Sequence, residues 1–134
     1  MPTTFLRWNL LLTDFGFVLY WIASALSLFP ADWLYKDHSN PILMAWNWSF
    51  APIDLTASAS GLLALWCART GRATWVRWAL ISLSLTLCAG LMAIAFWSLR
   101  RDFDPVWWLP NLYLVAWPAW CLRSLLSEPQ ASAA

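Results

Sequence analysis

The sequence predicts an all-α integral membrane protein, folded as a bundle of four transmembrane helices. The first observation behind this prediction is composition: 61% of the 134 residues are hydrophobic and 11% are charged, whereas about 25% of the residues of a soluble domain are charged. The second is that the apolar residues form four long runs separated by short polar segments. Because a membrane span takes about 20 residues, the chain has room for one compact bundle.

The four predicted spans cover most of the chain. We place them at residues 5–29, 42–68, 75–99 and 107–126, followed by a short tail, 127–134, that we expect to be disordered. The first run is too long for the core of a signal peptide, and it contains Asp14, which is foreign to such a core. We therefore interpret it as a retained helix.

The basic residues predict how the bundle is oriented. Five arginines fall on one side of the four-span arrangement: Arg7, Arg69, Arg72, Arg77 and Arg123. On the other side, three basic residues are mixed with four aspartates: Lys36, Arg100 and Arg101 with Asp32, Asp37, Asp102 and Asp104. The positive-inside rule then places both termini in the cytoplasm. We expect the protein in the bacterial cytoplasmic (inner) membrane, surrounded by lipid, with most of its 13 tryptophans near the two interfaces.

Several classes of function are disfavoured by composition. The formal net charge is +1 and no basic run is present, so binding of nucleic acid has no electrostatic basis. His38 is the single histidine, and Cys67, Cys88 and Cys121 lie far apart in apolar runs, which is typical of buried free thiols. We expect no metal and no cofactor. We also assign no catalytic residue, because the sequence shows no combination of nucleophile, base and orienting group. An enzyme is therefore the less favoured interpretation.

The second predicted span carries the polar residues that suggest a function. Pro52 cannot donate a hydrogen bond to the carbonyl of Trp48, so it predicts a kink or break. Asp54 would then lie in the first turn of a new half-helix, where free amides and the helix dipole favour a carboxylate. Asp54 is either a helix-start residue without a ligand or part of a binding site like those at the broken helices of transporters. At helical spacing, Asn47 and Asp54 share a face with Ser58 and Gly61 that should point into the bundle.

A second acid, Asp14, lies roughly 10 Å inside the cytoplasmic end of the first span. An isolated charge there is costly, so we expect a buried ion pair with Arg77 or Arg123, or else a neutral, protonated carboxyl that binds ligand or carries a proton. The estimated depths of Asp14 and Asp54 differ by roughly 6 to 12 Å. Direct sharing of one proton between the two acids is therefore not expected.

Motifs spread over most of the chain carry a resemblance to a known family. They are Thr13 to Phe17 with Tyr20 and Trp21, Tyr35 to Asp37 with Asn40 and Pro41, Trp46 to Phe50 with Pro52, Asp54 and Leu55, and 110–118. These residues resemble the YvaD-like family of small four-span bacterial membrane proteins, whose function is unknown. More distantly, Asp54 before a polar stripe and Pro118 in the last span are similar to the emopamil-binding and sigma-2-receptor group, whose bundles hold hydrophobic amines or sterols. The full acid pattern of that group is missing here, so its sterol isomerisation is not implied.

The leading hypothesis is a protein that binds or transports a small hydrophobic ligand in an intramembrane pocket. Hydrophobic cations are included in this class of ligand. Asp54 would bind the ligand with Asn47 and Asn111 as orienting amides, and the apolar walls would be Tyr20, Trp21 and Trp117. One alternative is a non-catalytic accessory or assembly subunit whose polar groups contact a partner's helices. A lipid- or sterol-modifying enzyme is a third possibility. A homodimer is also plausible, because four spans make a thin wall around a cavity.

Overall fold

The computed structural model describes residues 2–34 and 36–127, and these residues form six helices. They are α1 (Thr4–Ala25), α2 (Ala31–Leu34), α3 (Pro41–Trp48), α4 (Ala51–Arg69), α5 (Trp75–Leu99) and α6 (Pro105–Ser127). The prediction of an all-α protein is confirmed within this part of the chain. Of the tail predicted to be disordered, residues 128–134 lie outside the described residues.

Two segments are long and apolar enough to cross a membrane. They are Pro41–Arg69, which comprises α3 and α4, and Trp75–Leu99, which is α5. Both coincide with predicted spans, and on length and composition they support a membrane location. α1 and α6 have 22 and 23 residues, but α1 carries Arg7, Asn9 and Asp14, and α6 has two prolines in its interior, Pro110 and Pro118. The four-span arrangement therefore stays a prediction.

The four long helices pack side by side in chain order. α4 contacts α1 and α5, and α5 contacts α6. A hydrogen bond from Tyr113 Oη to Asn9 Oδ1, 2.6 Å long, joins α6 back to α1. At one end of the bundle all four helices contribute to an apolar core cluster: Leu6, Leu10, Leu65, Leu83, Trp117 and Cys121. The bundle is thus filled at the end where α1 and α5 begin and α4 and α6 finish.

Small residues let α4 approach its neighbours closely. The buried face of α4 carries Ala57, Gly61 and Ala64, and the buried face of α5 carries Ala79 and Ala89. A Cβ atom on Gly61 would overlap the carboxyl group of Asp14, so glycine is required for α1 and α4 to pack at this point. Packing of helices through small side chains is characteristic of membrane bundles.

The connection between α4 and α5 is a tight turn closed by glycine. Gly71 has a φ of 72°, its amide donates to the carbonyl of Ala68 (3.3 Å), and the amide of Arg72 donates to the carbonyl of Cys67 (2.9 Å). This pair of bonds is a Schellman motif, which satisfies the last carbonyls of α4. The two helices leave the turn antiparallel, which aligns the end of α4 with the start of α5.

The break predicted at Pro52 is present. α3 ends at Trp48 and α4 begins at Ala51, with Pro52 as its second residue and Asp54 in its first turn. The amide of Asp54 donates to the carbonyl of Phe50 at 2.9 Å, so the backbone resumes its helical pattern at once. The predicted inward face of α4 is also confirmed, since Asp54, Ser58 and Gly61 are buried. Of the thiols, Cys67 and Cys121 are buried but Cys88 is exposed, contrary to expectation.

Candidate ligand-binding cavity

A cavity of about 510 Å³ occupies the end of the bundle opposite the core cluster. Its wall comes from α1 beyond Leu11, from α2 and the loop after it, from α3, from the start of α4, from the second half of α5 and from the first half of α6. Pockets for small molecules have volumes of about 300 to 1,000 Å³ and are mostly apolar with a few polar groups. The cavity has the size and the kind of lining that such a ligand needs.

Asp54 is the acid of this cavity. It is 6% exposed, and its Oδ2 accepts a hydrogen bond from Trp21 Nε1 at 3.0 Å. Its other oxygen, Oδ1, is buried and has no hydrogen-bond partner among the described residues. The indole therefore orients the carboxyl group and leaves its second oxygen unpaired at the cavity wall. Trp21 is itself held by ring contacts with Tyr20 at 4.9 Å and Trp48 at 5.3 Å between centroids.

A second polar group of the cavity is the amide of Asn47. Tyr20 Oη lies 3.0 Å from both Asn47 Oδ1 and the carbonyl oxygen of Leu34, although its single proton serves only one acceptor at a time. In this orientation, Asn47 Nδ2 is buried and has no hydrogen-bond partner within residues 2–34 and 36–127. Rotating the amide by 180° lets Nδ2 donate to Tyr20 Oη while the hydroxyl donates to Leu34, which satisfies all three groups. Asn47 then presents its oxygen, an acceptor like Asp54 Oδ1.

Aromatic rings form much of the cavity wall. Trp46 stacks on Phe96 with centroids 3.8 Å apart and meets Trp97 edge to face at 5.7 Å. Phe17 and Trp107 line the cavity from α1 and α6. Aromatic faces attract cations as well as apolar groups, by about 0.5 to 2 kcal/mol for each well-placed ring.

Lys36 lies at the cavity on the side of the connecting loops. Its Nζ is 2.7 Å from Asp102 Oδ2, 3.5 Å from Asp104 Oδ2 and 5.8 Å from the ring centre of Trp97. The hydrogen bond with Asp102 raises the pKa of Lys36 above its usual value and lowers the pKa of Asp102. Because two carboxylates already neutralise this lysine, it adds no net positive charge to the cavity. Nearby, Arg100 Nη2 pairs with Asp37 Oδ2 at 3.1 Å.

Most residues predicted for the ligand site meet at this cavity. Tyr20, Trp21, Asn47, Asp54 and Asn111 all line it. Their joint placement follows from the helix break at Pro52, which brings α3 and the start of α4 against the second half of α1. The amide of Asn111 is partly used within α6, because its Nδ2 donates to the carbonyl of Trp107 at 2.7 Å.

Two predicted site residues lie outside the cavity lining and correct the sequence interpretation. Trp117 is 4% exposed and belongs to the apolar core cluster, one helical turn beyond the lining residue Tyr113. Asp14 is fully buried against Gly61, seven residues along α4 from Asp54. That spacing corresponds to about 10 Å along the helix, so the two acids stand at different levels of the bundle.

The predicted ion pair of Asp14 with Arg77 or Arg123 is not formed. Within residues 2–34 and 36–127, the salt bridges join Lys36 and Arg100 to loop aspartates, and none includes Asp14. Arg77 and Arg123 are exposed near helix ends. Their long side chains keep their charge in solvent, whereas Asp14 lies in the closely packed interior between α1 and α4.

Sequence reasoning missed several residues of the wall. Trp97, Ala93 and Ala89 line the cavity from α5, and Lys36 lines it from the loop. The three α5 residues recur every four positions, which is a helical face, and this spacing could have identified them. No sequence signal distinguishes Lys36 from the other charged loop residues. Its position depends on ion pairs with Asp102 and Asp104, which are far from it in the sequence.

Comparison with known proteins assigns the chain to a family. The family of unknown function DUF5360 matches residues 6–132. The chain belongs to this family. It is also 49% identical to the uncharacterized protein YvaD of Bacillus subtilis (strain 168) over 118 residues, which is 88% of this chain and 89% of that protein. The resemblance to the YvaD-like family is thereby confirmed. No solved structure matches the chain.

Proposed function

We propose that this protein is a four-span protein of the bacterial cytoplasmic membrane, with both termini in the cytoplasm, that binds a small hydrophobic cation in its cavity. Transport of that cation is the physiological role we favour. Membrane lipid would surround the exposed apolar faces of α1 and α6, where residues such as Trp8 and Trp120 are two-thirds exposed, at 67% and 69%. A hydrophobic ligand would then reach the cavity from the lipid phase.

The observation that carries the proposal is the free oxygen of Asp54 inside an aromatic cavity. Asp54 Oδ1 is buried with no hydrogen-bond partner in the described structure, while Oδ2 is held by Trp21. Leaving a carboxylate oxygen in this state costs several kcal/mol unless a donor or a cation reaches it. An organic cation supplies the charge for Asp54 and the apolar surface for the aromatic walls.

The charge balance of the cavity favours a cation over an anion or a neutral ligand. Lys36 is paired with two carboxylates, those of Asp102 and Asp104, so it leaves no positive charge to match that of Asp54. With its amide rotated as described above, Asn47 adds a second acceptor to the lining of the cavity. Acceptors and aromatic faces together form the surroundings that proteins use for ammonium-type ligands.

The orientation of the polar residues argues against the two alternative functions. An accessory subunit that recruits a partner through intramembrane polar groups needs those groups on its outer surface, whereas Asp54, Ser58 and Gly61 face inward. A lipid- or sterol-modifying enzyme that uses both acids needs them near one another, whereas Asp14 and Asp54 are separated by about 10 Å along the bundle.

The proposal is tested with tetraphenylphosphonium as the probe, by calorimetric titration of the detergent-purified protein. We expect wild-type protein to bind the probe and Asp54→Asn to bind it at least about 30-fold more weakly, because a buried charge loses its partner. The matched control is Asp32→Asn, which removes an exposed acid outside the cavity. Triphenylphosphine oxide, a neutral molecule of similar shape, should bind both forms equally.

Lowering the pH should weaken binding of tetraphenylphosphonium to the wild type, because a proton and the cation compete for the Asp54 carboxylate. The weak residual binding to Asp54→Asn should not change with pH. If wild-type protein does not bind the probe, or if Asp54→Asn binds it as well as the wild type does, the proposal is wrong, and the accessory-subunit interpretation is favoured.

A further inference from the structure

Hydroxyl groups inside the bundle fall into two groups. Ser58 and Ser60 on α4 each donate to a backbone carbonyl four residues earlier, at 2.9 and 2.8 Å. Thr13 on α1 and Ser82 and Thr86 on α5 are equally deep in helices, yet their hydroxyls are buried without a partner in the described part of the chain. A helical Ser or Thr readily bonds to the preceding turn, so these three hydroxyls, like that of Ser24 near the end of α1, are polar groups that the packed helices leave without a partner.

The acid at this level of the bundle is Asp14. It is 0% exposed, and neither of its carboxyl oxygens has a hydrogen-bond partner among residues 2–34 and 36–127. A Cβ atom on Gly61 would overlap this carboxyl and would lie 2.8 Å from Ser82 Oγ, so the two oxygen-bearing groups converge on the bare backbone of Gly61. Ser82 and Thr86 are one turn apart on the same face of α5, and both are 0% exposed.

Nothing in the packed helices neutralises Asp14. The other titratable or charged side chains of α1 itself are Arg7 and Tyr20. On the elements around it they are Asp54, Cys67 and Arg69 on α4, Arg77 and Cys88 on α5, and Tyr113, Cys121 and Arg123 on α6. The four arginines are exposed, and no salt bridge reaches Asp14 from the described residues. A buried carboxylate with several oxygens near it and no cationic side chain requires a small positive charge from outside the chain.

We infer that Asp14, Ser82, Thr13 and Thr86 form a second site, which takes a proton or a sodium ion. Oxygen ligands suit both of these cations, and the missing side chain of Gly61 leaves the space that the Asp14 carboxyl occupies beside Ser82. Thr13 also lines the large cavity, and Thr86 lies between Ser82 and the lining residue Ala89, so the site is placed directly beneath the cavity floor. A role as the coupling-ion site for transport rests on the proposed function, whereas the site itself does not.

The first test measures thermal unfolding of the detergent-purified protein in sodium chloride and in choline chloride of equal concentration, without organic cation. If the site takes sodium, sodium should raise the midpoint for wild-type protein by about 4 °C or more at saturation. The rise should be lost in Asp14→Asn and reduced in Ser82→Ala, which removes one oxygen and little volume. Asp54→Asn is the matched control, because it changes the other buried acid and should keep the full rise.

The second test distinguishes a proton from sodium by infrared difference spectroscopy between high and low pH. A site that takes a proton gives the C=O band of a protonated carboxyl in wild-type protein and in Asp54→Asn, and that band is missing in Asp14→Asn. If Asp14→Asn shows the same sodium response and the same carboxyl band as wild type, the second site does not exist. Tetraphenylphosphonium binding is measured separately, so failure of this site leaves the cavity proposal standing, and the reverse also holds.

Discussion

The two ends of the bundle are built from the same four long helices but have opposite interiors. At the end where α1 starts, Leu6, Leu10, Leu65 and Leu83 interlock and are 9% exposed or less. At the other end the helices are bridged by α3 and the loops, and aromatic rings surround a space of about 510 Å³. The filled end supplies the packing that stabilises the fold, and this leaves the open end free to hold a ligand.

The same comparison separates the two intramembrane acids. Asp54 lies at the open end, where Trp21 orients it and a cavity adjoins it. Asp14 lies at the level where the filled end begins, against Gly61 and near the hydroxyl of Ser82. An acid beside a large space is suited to an organic ligand, whereas an acid in a closely packed layer has room for nothing larger than a small cation. The surrounding volume thus determines which ligand each carboxyl can take.

The largest difference between the two ends should appear when a leucine is truncated in each. Leu83→Ala removes a side chain that is 0% exposed, and we expect it to cost about 2 to 5 kcal/mol in the free energy of unfolding. Leu12 is 68% exposed and borders the cavity. Leu12→Ala should therefore lower the free energy of unfolding by about 0.5 kcal/mol or less. Denaturant unfolding in mixed micelles measures both, and equal losses would show that the filled end is not the stabilising part.

A smaller effect is expected from adding one methyl group at each level. Gly61→Ala places a Cβ against the carboxyl of Asp14, and overpacking of this kind costs about 1 to 3 kcal/mol. Gly16→Ala is the matched control: its Cβ meets nothing within 4 Å, and alanine in a helix is favoured over glycine by about 0.5 to 1 kcal/mol. The two changes should shift the thermal midpoint in opposite directions. If Gly61→Ala left the thermal midpoint unchanged, α1 and α4 would be able to separate at this point at no cost in stability.

The sequence alone predicted the helices well because each left a local signal. Apolar runs of suitable length and turn residues such as Gly71 predicted α4 and α5, and Pro52 predicted the break before Asp54. The site was less predictable, since residue depth was estimated along single helices. Depth along a helix separates Asp14 from Asp54 correctly but gives no rotation about the helix axis. It therefore cannot show that Trp117 belongs to the core cluster or that Arg77 and Arg123 are exposed. The unpartnered hydroxyls of Ser82 and Thr86 could not be seen without the packing.

The smallest expected effect concerns the loops that border the open end. The bridge between Lys36 and Asp102 raises the pKa of the lysine and lowers that of the aspartate. The stabilising contribution of Asp102 is therefore present above the ordinary aspartate pKa of about 3.9 and is lost as the pH falls through its lower folded value. That of Lys36 is present below the ordinary lysine pKa of about 10.4 and is lost as the pH rises through its higher folded value.

Between these two pH limits, the bridge stays intact and the thermal midpoint of wild-type protein should not change on its account. Outside the limits, wild-type protein should lose a small part of its stability. Asp102→Asn lacks this part already at neutral pH. Because both partners are partly exposed to solvent, salt should reduce the difference between the two proteins. Thermal melts across the pH range at low and high salt measure this, with Asp32→Asn as the control for a lost surface charge. A difference that survives high salt would contradict a solvent-screened bridge and would instead make Lys36 a structural part of the cavity wall.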